Sequence, residues 1–118
     1  PSGIGTGRGI KGFRNWHQIP FLNSMPNRVG DVGKGYLIGD GNYVGFTAWP
    51  GMQMTISNGG WLGIAPANQQ ITMRSLDFWR CEKGLIRENW VLVDLLHVYH
   101  QLGVDVLGRM QEFNKVRC

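Results

Sequence analysis

The sequence predicts an α+β domain built on an antiparallel sheet, and three observations carry that expectation. Glu82-Lys83-Gly84 separates two alternating runs, Gln70 to Cys81 and the stretch from Leu85, which reads as a hairpin. Gly39-Asp40-Gly41-Asn42 does the same between Gly35–Gly39 and Tyr43–Trp49. At Asp94 the apolar period then changes from two to three and four, so a strand passes directly into a helix.

At 118 residues the chain is read as one domain, spanning residues 1–118. Hydrophobic content of 42% against 17% charged residues describes a globular chain rather than a disordered one. The low charge, with five Trp, five Phe, three Tyr and five Met, supplies more apolar surface than one small core needs. A subunit interface or a ligand cavity would use the remainder, and a homo-oligomer, dimer or higher, is expected. The net charge of +4 is spread singly apart from Arg8, Lys11 and Arg14, so nucleic acid is not an expected partner. Cys81 and Cys118 form neither a disulfide framework nor a metal-ligand spacing, and no metal is expected. No apolar run is long enough to span a membrane and no secretory leader is visible, so a reduced, cytoplasmic setting is expected.

Taken in order, residues 1–9 read as a flexible lead-in. The run Gly3-Ile4-Gly5-Thr6-Gly7 lacks the preceding strand that a dinucleotide loop requires. Lys11 to Ser24 reads as helical, broken or kinked near Ile19 by Pro20. Phe13, Trp16 and Phe21 supply its apolar face, and His17 falls beside that face, either as a packed core residue or as a catalytic one. Asn27 to Lys34 is a glycine-rich connection to the first hairpin. Pro50-Gly51 interrupts the second strand as a bulge or bend, and Met52 to Ile56 resumes it. Ser57 to Asn68 is a loop whose Trp61, Leu62 and Ile64 are too apolar for plain exposure, which suits a flap over a pocket or a subunit contact.

In the long hairpin, Cys81 is expected opposite Leu85. That register sets Leu76 against Trp90, Arg74 against Leu92 and Thr72 against Asp94. Arg74 then shares a face with Trp90, Leu92 and Asp94. Asp94 is expected beside an indole in an apolar setting, where a carboxyl resists ionisation and suits proton transfer. The alternative is that Asp94 simply caps the helix it begins. That helix, bearing Leu95, Val98, Tyr99 and Leu102, ends at Gly103. Val104 to Phe113 follows as a last helix, and residues 114–118 as a frayed tail.

Several short blocks carry a family resemblance: Gly12-Phe13 with His17-Gln18, Pro20-Phe21-Leu22, Gly39-Asp40-Gly41 with Tyr43-Val44, and Trp61-Leu62-Gly63-Ile64 with Pro66. The most specific is Asp77-Phe78-Trp79-Arg80, Glu88-Asn89-Trp90, Asp94-Leu95-Leu96 and Gln101-Leu102-Gly103. Through these the chain resembles the SnoaL-like polyketide cyclases of the nuclear transport factor 2-like, or ketosteroid isomerase-like, superfamily. The resemblance implies a strongly curved antiparallel sheet with helices over its concave face, a cystatin-like cone enclosing an apolar pocket. Relatives place a long helix and a first strand before the glycine-rich segment, so the fold is expected in an N-terminally abbreviated form.

The implied chemistry is a cofactor-free cyclisation, isomerisation or hydrolase-like reaction on a small apolar carbonyl compound. Asp94 stands at the position of the family's general acid/base, with His17 or Arg74 polarising the substrate. Trp90, Leu92, Phe13, Trp16 and Trp61 would shape the pocket. His97, one helical turn beyond Asp94, is a further candidate contact, and both His97 and His100 can equally be ordinary helix-surface residues. The competing expectation is a non-catalytic ligand-binding or oligomerisation domain of the same fold.

Overall fold

The computed structural model describes residues 6–30 and 32–115. The expected lead-in over residues 1–5 and the tail over 116–118, with Cys118, lie outside the described residues. The chain divides into two compact units, residues 1–29 with 53–70, and residues 30–52 with 71–118.

The first unit opens with one helical run: α1 (Gly9–Phe13), a π-helical turn (Arg14–Gln18) and α2 (Ile19–Ser24). Pro20 explains the middle turn. It has no N–H to give to the carbonyl four residues back, and the ladder before it widens, so that Ile19 N–H donates to Arg14 O. The expected break is therefore a widened turn inside a continuous helix. α2 ends where Ser24 Oγ donates to Pro20 O at 2.6 Å. Residues 57–68 are tied back to this end: Ser57 N–H donates to Ser24 O at 2.8 Å and Asn58 Nδ2 to Asn23 O at 2.6 Å. Met25, Met54, Ile56, Trp61 and Ile64 are buried. Trp61 and Ile64 thus belong to the core of this unit, which accounts for their apolarity without a flap.

The second unit holds the sheet, and its α+β character follows the sequence pattern. Strands β1 (Gly35–Asp40), β2 (Tyr43–Thr55), β3 (Gln70–Glu82) and β4 (Leu85–Val93) form a curved antiparallel sheet in the order β1-β2-β3-β4, with the last three residues of β2 and the first of β3 falling in the first unit. Helices α3 (Leu95–Gln101) and α4 (Val106–Lys115) follow, and α4 carries Asn114 and Lys115 beyond the expected end of helix. Among the described residues of this unit, Ala48, Ile71, Met73 and Val98 are the buried apolar ones. No described helix is long and apolar enough to cross a membrane.

The β3–β4 turn shows why the register differs from expectation. The β3–β4 turn has two residues, Lys83 and Gly84, with φ of +50° and +72°, the conformation that suits a tight two-residue loop. Glu82 therefore pairs with Leu85. A bulge at Arg87 then shifts the ladder once more, so Arg80 faces Glu88, Phe78 faces Trp90 and Leu76 faces Leu92. Arg74 consequently stands opposite Asp94, whose N–H donates to Arg74 O at 3.0 Å. The expected pairing of Arg74 with Leu92 is corrected by two residues. A shift of two leaves every side chain on its expected face.

Pro50-Gly51 does not end β2. Gly51 has φ +88°, and a Cβ there would run into the carbonyl oxygen of Met73 on β3. Substituting Gly51→Ala is therefore expected to destabilise the chain by about 2 kcal/mol. Urea unfolding should show a lower midpoint with an unchanged slope.

Candidate functional site

Asp94 sits where β4 hands over to α3, and both its carboxylate oxygens have partners. One accepts the backbone N–H of His97 at 3.0 Å, an N-cap for α3. The other lies 3.2 Å from Arg74 Nη2, with side chains 36% and 23% exposed respectively. The purely apolar setting expected for Asp94 is thus corrected: the cross-strand register supplies a cation, and the carboxylate is half open to solvent. Both the capping and the chemical readings survive, since one oxygen serves each contact.

Arg74 is held from a second side. Its Cζ stands 4.3 Å from the ring centroid of Trp49 on β2, within cation–π range. Its Nε is buried and has no hydrogen-bond partner among the described residues. Trp90 and Leu92 share the face of Arg74 and Asp94, as the sequence alternation requires, and stand 49% and 65% exposed.

His97 joins the site through α3. Gln101 Oε1 accepts Thr72 N–H at 2.9 Å while Gln101 Nε2 donates to Thr72 O at 2.8 Å, so the amide acts as a short extra strand edge against β3. The same Nε2 lies 3.2 Å from His97 Nδ1. Trp49 and Gln101 are the residues that sequence reasoning left out. The signal for Trp49 was its alternation with Gly45 and Thr47. For Gln101 it was the helical spacing of four from His97.

The remaining candidates belong to the first unit. Rings stack in sequence from Phe13 to His17 (centroids 5.4 Å apart), His17 to Phe21 (5.8 Å) and Phe21 to Trp61 (5.6 Å, edge to face). Buried Trp61 leaves its indole Nε1 without a hydrogen-bond partner among the described residues. Trp16 is 65% exposed. The structure therefore brings Arg74, Asp94, Trp90 and Leu92 together with His97, and Phe13, His17 and Trp61 together through Phe21. Among the described residues no group of three or more His, Cys, Asp or Glu is placed to hold a metal ion.

Residues 52–102 match the family model described as SnoaL-like polyketide cyclase. That segment includes Trp61, Asp77–Arg80, Trp90, Asp94 and Gln101 from the blocks that carry the sequence resemblance, while the blocks between Gly12 and Val44 lie before it. No curated protein matches the chain in sequence. Among solved structures, IdmH, a candidate polyketide cyclase from Streptomyces antibioticus, is 21% identical with a TM-score of 0.60, over 82% of this chain and 66% of its own. A candidate polyketide cyclase from Acidithiobacillus ferrooxidans is also 21% identical with a TM-score of 0.60, over 80% and 63%. TsrD from Streptomyces laurentii is 25% identical with a TM-score of 0.59, over 81% and 67%. The chain thus spans about two thirds of the length of these proteins, and their likeness establishes a shared SnoaL-like fold.

The double role of Asp94 separates two substitutions. Asp94→Ala removes cap and ion pair together and should cost about 1–2 kcal/mol in chemical unfolding. Asn also caps well, so Asp94→Asn should cost less than about 1 kcal/mol while abolishing the charge.

Proposed function

We propose that this chain carries cofactor-free cyclase- or isomerase-type chemistry on a small apolar carbonyl compound, with Asp94 as general acid/base. The observation that carries the reading is the half-open Asp94 carboxylate, 3.2 Å from Arg74, on a sheet face shared with Trp90 and Leu92. The match of residues 52–102 to SnoaL-like polyketide cyclases supports the reaction class.

In the proposed cycle the carboxylate removes a proton from the carbon alpha to a carbonyl, leaving an enolate. Arg74 places a positive charge beside the carboxylate and so favours the developing anion. In a cyclisation the enolate carbon attacks a second carbonyl of the same molecule. The new carbon–carbon bond leaves an alkoxide, which recovers the proton from Asp94. Isomerisation differs only in returning the proton to another carbon. Trp90 and Leu92 supply apolar contact to the substrate, and Trp49 keeps the guanidinium in place. His17, flanked by Phe13 and Phe21 in the first unit, takes a packing role and no part in these transfers.

A second reading, a ligand-binding domain without chemistry, is favoured by one observation: cap and ion pair together account for Asp94 structurally. Exchange of alpha protons in benzylacetone, followed by proton NMR in deuterated buffer, separates the two. Under the enzymatic reading the protein accelerates exchange above buffer, and Asp94→Asn lowers the rate by about a hundredfold or more while quenching of tryptophan fluorescence by the ketone persists. Quenching without accelerated exchange by the unaltered protein would favour the second reading.

A further inference from the structure

The ladder between β3 and β4 stops at Asp94, and a side chain continues it. In an antiparallel pair the residues that exchange backbone hydrogen bonds recur at every second position. Asp94 N–H donates to Arg74 O at 3.0 Å, so the next such position on β3 is Thr72. Its partner would be Leu96 if β4 ran on, but the chain leaves the sheet and Leu96 belongs to α3. Gln101 takes that place. Its Oε1 accepts Thr72 N–H at 2.9 Å and its Nε2 donates to Thr72 O at 2.8 Å, the two bonds a strand residue would make there.

The amide is one of two side-chain bridges between α3 and β3, and the other is the Asp94 carboxylate. Asp94 Oδ1 accepts His97 N–H on α3 at 3.0 Å, while Oδ2 lies 3.2 Å from Arg74 on β3. Both oxygens keep their partners only while helix and strand keep their spacing. If α3 slid along its axis or lifted from the sheet, the carboxylate would have to give up one of them. Gln101 opposes that movement one helical turn beyond His97, and its Nε2 also donates to His97 O at 3.2 Å. The contacts close a circuit from Arg74 along β3 to Thr72, through Gln101 to His97, and through Asp94 back to Arg74. Every link lies in a strand, a helix or their junction. We propose that Gln101 is a positioning residue for Asp94, acting through the placement of α3 against β3. Under the reading of Asp94 as general acid/base, on which this rests, Gln101 sets where the base meets the substrate. The residue type matters as well as its size. An uncharged amide offers an acceptor and a donor to one backbone unit, and Asn is a methylene too short to reach it from the same position.

Proton–nitrogen NMR of the full chain tests the placement without reference to catalysis. The signals of His97 N–H and of the Arg74 side-chain N–H groups should move as the Asp94 carboxylate is protonated, and Asp94→Asn should remove that movement. Gln101→Met and Gln101→Asn should each cut at least one of the two responses by about half or more. Thr72→Val leaves both backbone bonds in place and should preserve them. A merely structural role would lower the midpoint of unfolding and leave the responses whole. Full responses in folded Gln101 variants would therefore overturn the proposal, as would loss of the fold, by circular dichroism, in both variants. Exchange of benzylacetone alpha protons adds a catalytic readout. At saturating ketone the Gln101 variants should exchange about tenfold more slowly, with the half-saturating ketone concentration within about twofold. An unaltered protein that fails to accelerate exchange would overturn the general acid/base reading, and the NMR responses would still decide the placement. Unchanged exchange in the variants beside an active unaltered protein would overturn the role of Gln101.

Discussion

The cross-strand contact between Arg74 and Asp94 is the constraint on which the site depends. It exists because β3 and β4 pair in one register and no other: a two-residue turn at Lys83-Gly84 and a single bulge at Arg87 bring residue 74 opposite residue 94. The ion pair by itself is partly exposed and contributes little to stability. Its value is positional. A carboxylate at the end of a strand is free to rotate, but this one is pinned by a backbone N–H on one oxygen and a guanidinium on the other. The guanidinium is in turn held against the Trp49 ring, so three strands and one helix determine where a single acid lies.

Two elements show how far the sequence could be read. The face shared by Arg74, Trp90, Leu92 and Asp94 was legible because alternation along a strand survives any even shift of register. The pairing was not legible, because whether Lys83-Gly84 or Glu82-Lys83-Gly84 makes the turn depends on the backbone that Lys83 accepts, a positive φ that a lysine rarely adopts. The bulge at Arg87 carries no glycine or proline to announce it. The apolar setting expected for Asp94 failed for the same reason. With Arg74 placed two residues away along the ladder, the acid had no cation opposite it.

The helical run of the first unit was legible to within its middle turn. Pro20 was enough to forecast a disturbance, and the disturbance took the form of a wider turn because helical residues continue on both sides of it. That turn carries His17 within ring contact of both Phe13 and Phe21. The histidine has two ring neighbours within its own unit, whereas Asp94 has a guanidinium and a backbone N–H.

The hydrogen bonds of Gln101 fix where α3 lies against β3. An amide oxygen and nitrogen look alike in outline, but Thr72 N–H can only donate, so the atom facing it must be Gln101 Oε1. The other end of the amide is then Nε2, which has only protons to offer. Those two protons go to the carbonyl oxygens of Thr72 at 2.8 Å and His97 at 3.2 Å, so the amide joins strand and helix through backbone groups. Gln101 thereby fastens α3 at His97 to β3 at Thr72, one helical turn from the Asp94 cap. One acid and one cation are then held at the junction of β4 and α3. Asp94 is left with one oxygen on the helix backbone and the other on a guanidinium, and it is this fixed position that the proposed proton transfer requires.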